Sequence, residues 1–265
     1  MATQRSPEGR PNPLITKLEK YATLSDDDRD AIVEASRNTR EIDANRDIIS
    51  EGARPDHVHL MLDGWAARYK IVPDGARQIT AYLIPGDFCD LHVTILKRMD
   101  HGIFALTPAT VAYIPHETMR RLTASRPELT RALWWATLVD EGVLRSWIVN
   151  LGRRDAYQRI AHLMCEMHVR MKNVGLVEDD TFSLPLTQEE IADTMGLTAV
   201  HVNRMLRRLR DEGLIEIGGQ KLTILDLGGL QRASGFDPSY LHAEGKTCRL
   251  RRRGAGPRRL SCATP

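Results

Sequence analysis

The stretch from Leu186 to Ile217, LTQEEIADTMGLTAVHVNRMLRRLRDEGLIEI, constrains the fold more than any other part of the chain. Thr187 stands where a helix N-cap belongs, and Glu190, three residues on, completes a capping box. Ile191, Ala192 and Met195 supply that helix with an apolar side. Gly196 permits a tight turn, and Leu197 can plug the angle between two helices. Thr198 then caps a second helix. In it, Val202, Met205, Leu206 and Leu209 recur at helical spacing and should face a core. Ala199, Val200, His201, Asn203, Arg204, Arg207 and Arg208 are left on or near the open side. Gly213 stops this helix. The segment LIEIGGQKLTIL then places two strand-like runs about Gly218-Gly219, the pattern of a wing.

The open side has the chemistry of a reader of double-stranded DNA. Small apolar groups meet thymine methyls, and arginine grips guanine through two hydrogen bonds or holds a phosphate. An ordinary helical hairpin with a solvated basic face would show the same residue types. It would not need cap, turn, basic face and wing in this order, which is that of a winged helix-turn-helix.

The chain has 265 residues, enough for two modest domains. No apolar run is long enough to cross a bilayer, so no membrane partner is expected. The first residues, MATQRSPEGRPNP, lack an apolar signal core, which predicts a cytoplasmic location. Cys89, Cys165, Cys248 and Cys262 are far apart and form no CxxC pair, which argues against a zinc ribbon or a disulfide scaffold. The net charge of +2 is unevenly spread. Lys246, Arg249, Arg251, Arg252, Arg253, Arg258 and Arg259 crowd the C-terminal end without an acid among them, so the remainder is net acidic. A uniformly basic coat is therefore not what would bind DNA; the second helix must do it, with the tail as a possible non-specific aid.

Ahead of the helical hairpin the pattern changes twice. After a Pro-rich start and two short helical segments, the second opening at Ser25, the region from Arg40 to Pro115 reads as short strands. Val58, Leu60 and Leu62 alternate, and Asp63-Gly64, Pro73-Asp74-Gly75 and Pro85-Gly86-Asp87 mark turns. Many short strands with regular turns predict a small barrel or sandwich. Helix then returns, first over His116 to Ala124. From Glu128 to about Leu151, Leu129, Leu133, Ala136, Val139, Val143, Trp147 and Leu151 form one stripe along a long helix. That stripe needs a cover: either the chain's own barrel or a second copy of the helix. The second is favoured, because helix-turn-helix proteins read two half-sites through two-fold symmetry. Trp134, Trp135 and Trp147 are expected to pack on the helix.

Barrel, long helix, hinge and winged helix, in that order, resemble the Crp/Fnr superfamily of bacterial transcription regulators. In the barrel the resemblance rests on IISEG, HLMLDGWA and PDGARQITAYLIPGDF, and in the second half on LTQEEIADTMGLTAVHVNRMLRRLRDEGLI. It implies an α+β chain: a double-stranded β-helix, jelly-roll-like sensory barrel at 14–125, a dimerisation helix and hinge at 126–152, a winged helix-turn-helix at 153–230, and a tail at 231–265. It also implies a homodimer, joined through the long helix, that binds a palindromic promoter site and contacts RNA polymerase. Thr187 and Thr198 fall where the family meets phosphate, and Gln188 beside them is a further DNA-binding candidate. Ala199, Val200 and Arg204 fall at its base-reading positions, and His201, Asn203, Arg207 and Arg208 add reach. Arg204 keeps the family's arginine, whereas Ala199 and Val200 replace the arginine and glutamate of the cyclic-AMP-responsive members, so half-site preference should differ.

By the same resemblance, an effector pocket would involve Gly86, Asp87, Cys89, Asp90 and His101. The cyclic-nucleotide members need a Gly-Glu pair and an Arg-Ser pair there. This chain offers Asp90-Leu91 and His101-Gly102, with only Arg98 nearby. Leucine cannot accept a ribose hydroxyl proton, and Asp90 would repel phosphate, so cyclic AMP is not expected. The iron–sulfur members carry clustered N-terminal cysteines. None precedes Cys89, so no such cluster is expected. Cys89, His92 and His101 bracket the loop; they form either a metal, haem or redox site or a buried cysteine beside two loop histidines, and the plainer alternative is preferred. No cofactor is thus expected. No nucleophile elbow, phosphate-gripping loop or metal-protease motif is present, so catalysis is not expected either. A cyclic-nucleotide-binding module remains the alternative function.

Overall fold

The computed structural model describes residues 11–242. It is an α+β chain, with a barrel followed by a long helix and a winged helix-turn-helix. Helices α1 (Pro13–Leu18) and α2 (Asp26–Ala35) precede the barrel. The Ser25 hydroxyl caps α2, with Asp28 completing the capping box.

Seven strands build the jelly-roll-like barrel: β1 (Thr39–Ile42), β2 (Asp47–Ile49), β3 (His57–Asp63), β4 (Ala66–Ile71), β5 (Arg77–Leu83), β6 (Gly102–Ala105) and β7 (Ala109–Pro115). They form two antiparallel sheets, ordered β1-β7-β3 and β2-β6-β4-β5. Val58, Leu60, Val111 and Ala112 from one sheet share a core with Ile49, Ile103 and Ala105 from the other. Gly64 makes the β3–β4 turn with φ +80°, and a Cβ there would sit 2.4 Å from the Pro108 carbonyl oxygen, so only glycine fits.

The expected alternation in β3 is incomplete. Val58 and Leu60 are buried, but so are His59 and Met61, because residues 86–89 run along that strand. Met61 N donates to the Asp87 carbonyl at 2.9 Å, and Cys89 N to that of His59 at 2.8 Å. A segment that reads as loop thus covers an edge and leaves β3 with two buried faces.

Short helices α3 (Val93–Leu96) and α4 (His116–Ser125) flank β6 and β7. Helix α5 then runs from Pro127 to Arg153. At ~1.5 Å per residue it is about 40 Å long. Leu129, Leu133, Ala136, Val139, Val143 and Trp147 are buried within this one chain, and Leu151 is half-buried. The favoured cover for that stripe is corrected: it packs on the chain's own cores. What stays uncovered is the opposite arc, where Trp134 is 71 % exposed, Leu138 56 % and Ile148 71 %, with Leu144 and Val149 beside them. Trp134 therefore does not pack within the chain, whereas Trp135 stacks on Tyr21 and Trp147 is buried.

Asp155 caps α6 (Ala156–Asn173) with Gln158 as its box partner. A three-stranded sheet follows, ordered β8 (Thr181–Ser183), β10 (Lys221–Ile224), β9 (Ile215–Gly218). The sequence shows only the latter two as a wing; β8 lies in what reads as a polar loop. Between them come α7 (Gln188–Met195) and α8 (Ala199–Asp211). The boundary at 230 is corrected, because it cuts α9 (Leu227–Ser234), which packs on α6. A 3₁₀ turn, Pro238–Leu241, then packs on α5, with Phe236 and Leu241 buried. The basic segment from Lys246 onward lies outside the described residues. Among the described residues, no helix is long and apolar enough to cross a membrane.

Candidate nucleic-acid interface

The helix-turn-helix is held by the bonds its sequence foretells. Thr187 Oγ1 accepts from Glu190 N at 3.1 Å, and Glu190 Oε2 accepts from Thr187 N at 2.7 Å. Gly196 ends α7 with φ +62°, and Leu197, half-buried, wedges against the core. Thr198 Oγ1 accepts from His201 N at 3.2 Å and opens α8. Val202, Leu206 and Leu209 are buried, and Met205 is partly so.

The outward face is open. Val200 is 82 % exposed, a costly position for an apolar side chain unless it meets another apolar surface such as a thymine methyl. Arg204 and Arg207 are exposed and enter no ion pair among the described residues. Thr187, Gln188 and Thr198 are exposed at the helix starts, and Ala199, His201 and Asn203 are half-buried along the same edge. Arg208 differs. Its Nε donates to Glu212 at 2.8 Å, and its guanidinium lies over the Tyr157 ring at 4.1 Å. The Tyr157 hydroxyl in turn donates to Glu212, and burial together with that bond pushes the phenol up to about 12. Arg208 thus ties α8 to α6 while its side chain stays exposed.

A second set of contacts seats α7 on the barrel. The Tyr82 hydroxyl, fully buried, lies 2.5 Å from Thr194 Oγ1 and 3.2 Å from the Glu190 carbonyl. Arg77 pairs with Asp193 at 2.8 Å, and Gln78 Nε2 donates to the Thr194 carbonyl at 3.1 Å. The sequence gives no local sign of this junction, since its partners are more than a hundred positions apart.

The five effector-pocket candidates do not line one pocket. Gly86 makes a turn with φ +90°, against the Pro13 carbonyl. Asp87 is buried and pairs with Lys17 at 2.6 Å and Arg170 at 2.8 Å. Burial pushes its carboxyl up, but the Lys17 and Arg170 charges outweigh that and hold it below the usual range. Asp90 is fully buried and accepts from His59 N and His59 Nδ1, each at 2.7 Å. Cys89 is buried too, and desolvation pushes its thiol well up, away from the reactive thiolate. Asp87, Cys89 and Asp90 are thus buried and Gly86 is packed on α1, with Asp87 also lining a small cavity beside Lys17, Tyr21, Asp140 and Arg170. His101 alone stands apart, beside His92 and Asp100 rather than Cys89.

Comparison with known proteins agrees with this architecture. A cyclic nucleotide-binding domain model matches residues 39–126, and a Crp-like helix-turn-helix domain model matches residues 158–233. The nitrogen fixation regulation protein FixK of Bradyrhizobium diazoefficiens is 30% identical over 179 residues, covering 68% of this chain and 74% of that protein. The transcriptional activator protein FnrL of Cereibacter sphaeroides is 28% identical over 211 residues, covering 78% and 84%. Among solved structures, FixK2 from Bradyrhizobium japonicum superposes with a TM-score of 0.67 at 23% identity, covering 74% of this chain and 96% of that one. A CooA mutant from Carboxydothermus hydrogenoformans gives 0.61 at 18%, covering 82% and 99%.

Proposed function

The chain belongs to the Crp/Fnr superfamily of DNA-binding transcription regulators, and we propose that it acts as a homodimer on a palindromic promoter site without cyclic AMP. The observation that carries the dimer is the uncovered apolar arc of α5, with Trp134, Leu138 and Ile148 turned to solvent on a helix whose other face is already packed. Exposed apolar patches rimmed by polar residues mark association surfaces. A second copy of α5 laid along this arc buries it and places two α8 helices about a two-fold axis. Each reads one half-site, with centres about 34–36 Å apart along the duplex. Val200 and Arg204 would read bases, while Thr187, Gln188, Thr198 and Arg207 hold phosphates.

Independence from cyclic AMP is supported by the loop that would hold the nucleotide. Asp90 and Asp87 are tied into the fold, and Leu91 supplies no acceptor for a ribose hydroxyl. The bound dimer adjusts transcription by contacting RNA polymerase, and no chemistry on a substrate is assigned to it. In-vitro selection of DNA by the purified chain, without ligand and at stated salt, with mass measured in parallel, tests the proposal. A two-half-site palindrome bound by a dimer supports it. A monomer, or binding that is sequence-blind and collapses with salt, refutes it.

A further inference from the structure

His92 at the start of α3 and the loop between α3 and β6 together hold a cluster that DNA binding does not use. His92, Asp100 and His101 each offer a ligand atom, and these atoms all lie within 4.8 Å of one another. The imidazole centroids of His92 and His101 are 5.5 Å apart. The Nε2 atoms of both rings are buried without a hydrogen-bond partner. His116, His162 and His168 each have one such nitrogen as well, but only His92 and His101 bring two together beside a carboxylate.

The protonation pattern gives those nitrogens a meaning. His101 Nδ1 lies 2.6 Å from Asp100 Oδ1. A carboxylate accepts, so Nδ1 carries the proton and Nε2 keeps its lone pair. An ion held at Nε2 would draw Asp100 away from this bond to become a ligand itself. The nearby Arg68 is engaged with the Phe88 and Cys89 carbonyls at 2.9 and 3.3 Å.

The loop is also pinned. Met99 N donates to the Ala53 carbonyl at 2.9 Å, Gly52 N to that of Met99 at 2.8 Å, and Val93 N to that of Asp90 at 2.9 Å. Gly102, next to His101, lets β6 pass under the Tyr69 ring, where a Cβ would come within 2.5 Å. The histidines are therefore held by backbone on both sides, while exposed Asp100 leaves a path for a small ion and freedom to close on it.

We propose that His92, Asp100 and His101 form a binding site for one divalent first-row transition-metal ion in the barrel. Two imidazoles and a carboxylate suit zinc, iron(II), cobalt or nickel better than calcium or magnesium, which prefer all-oxygen shells. At bond lengths of about 2.0–2.2 Å the three donors must draw together from separations of up to 4.8 Å, and rotation of Asp100 away from His101 Nδ1 with a shift of the His92 backbone would supply this. Water or a small anion would complete the shell. Bound metal would cross-link α3 to β6.

The test is titration of the metal-free full-length chain with Zn²⁺ by calorimetry and with Co²⁺ by visible absorption. The expected result is one ion per chain, with the absorption of cobalt bound by nitrogen and oxygen and no thiolate charge-transfer band. His92→Ala/His101→Ala should abolish that ion. Asp100→Asn, at an exposed position that leaves the core untouched, replaces an anionic ligand by a neutral one and should weaken binding by about 10-fold or more. His57→Ala should leave it unchanged. Retention of the ion in the double variant, a thiolate band, or no saturable binding would each overturn the proposal. Far-UV circular dichroism of each variant separates a lost site from a lost fold.

Discussion

Replacing Asp87 by asparagine tests whether this turn residue belongs to the fold or to an effector pocket. Its carboxylate is 3% exposed and holds Lys17 of α1 and Arg170 of α6, themselves 12% and 13% exposed. Arg170 also reaches Glu166 at 3.5 Å and donates to the Tyr82 carbonyl at 2.8 Å. Asp87 is thus the anion that binds the N-terminal helix, the barrel and the DNA-binding half together. Asparagine keeps the shape but removes the charge, leaving two buried cations without the one carboxylate that bonds both of them. Breaking a buried pair from one side costs about 3–5 kcal/mol. At roughly 2–4 °C per kcal/mol for a chain of this size, the melting temperature should fall by about 6–20 °C. The exposed pair Arg120–Glu117 is the control, and Glu117→Gln should cost no more than about 1 kcal/mol. The effect of pH has a defined sign. Asp87 is held below its unfolded value, so its stabilisation is present above the unfolded carboxylate range and is lost as pH falls through the lower, folded value. Melting curves across pH should therefore converge for wild type and Asp87→Asn in acid. A loss below about 1 kcal/mol at neutral pH, or a gap that does not close in acid, would refute the ion-pair argument.

Other expectations follow from the same structure. Arg204→Ala should weaken binding to the selected site by about 1–3 kcal/mol and relax specificity at one base pair, with the dimer intact by mass; unchanged binding removes Arg204 from the readout. Arg207→Ala should weaken binding to all sequences alike and lower the salt slope, whereas Arg208→Ala should show mainly in the melting temperature, because Arg208 is bound to Glu212 and Tyr157. Trp134→Glu with Ile148→Glu should give a folded monomer that has lost its two-half-site footprint; a dimer surviving this change would put the interface elsewhere. Glu166 is fully buried, and burial raises its carboxyl despite the Arg170 charge and the Tyr240 and Trp147 bonds. A raised acid favours folding below its unfolded value and loses that contribution as pH rises through the folded one, so Glu166→Gln should flatten the decline on the alkaline side, read by denaturant titration at several pH values.

The parts of the molecule that the sequence makes legible are those whose physics is local. A capping box spans four residues, and the αL turn at Gly196 one, so the helix-turn-helix could be assigned almost residue by residue. Helical periodicity likewise announced α5, but a stripe says only that something covers it. Which surface covers which face is decided by distant groups: the barrel and α6 take the Leu129–Trp147 face, and the bulkier Trp134 and Ile148 are left outside. The helical phase of those exposed residues was readable as a second apolar arc, and it would have separated the two faces. The turn at Pro85-Gly86-Asp87 misled for a related reason. Its composition is that of a ligand loop, yet the cations that claim Asp87 lie at positions 17 and 170, and the histidine that claims Asp90 lies at 59. Charged residues in a loop announce only that they need partners. In this chain the partners are supplied by helices on both sides, which is why the loop that reads as the most functional is among the most structural, and why the unpaired nitrogens of His92 and His101 stand out against it.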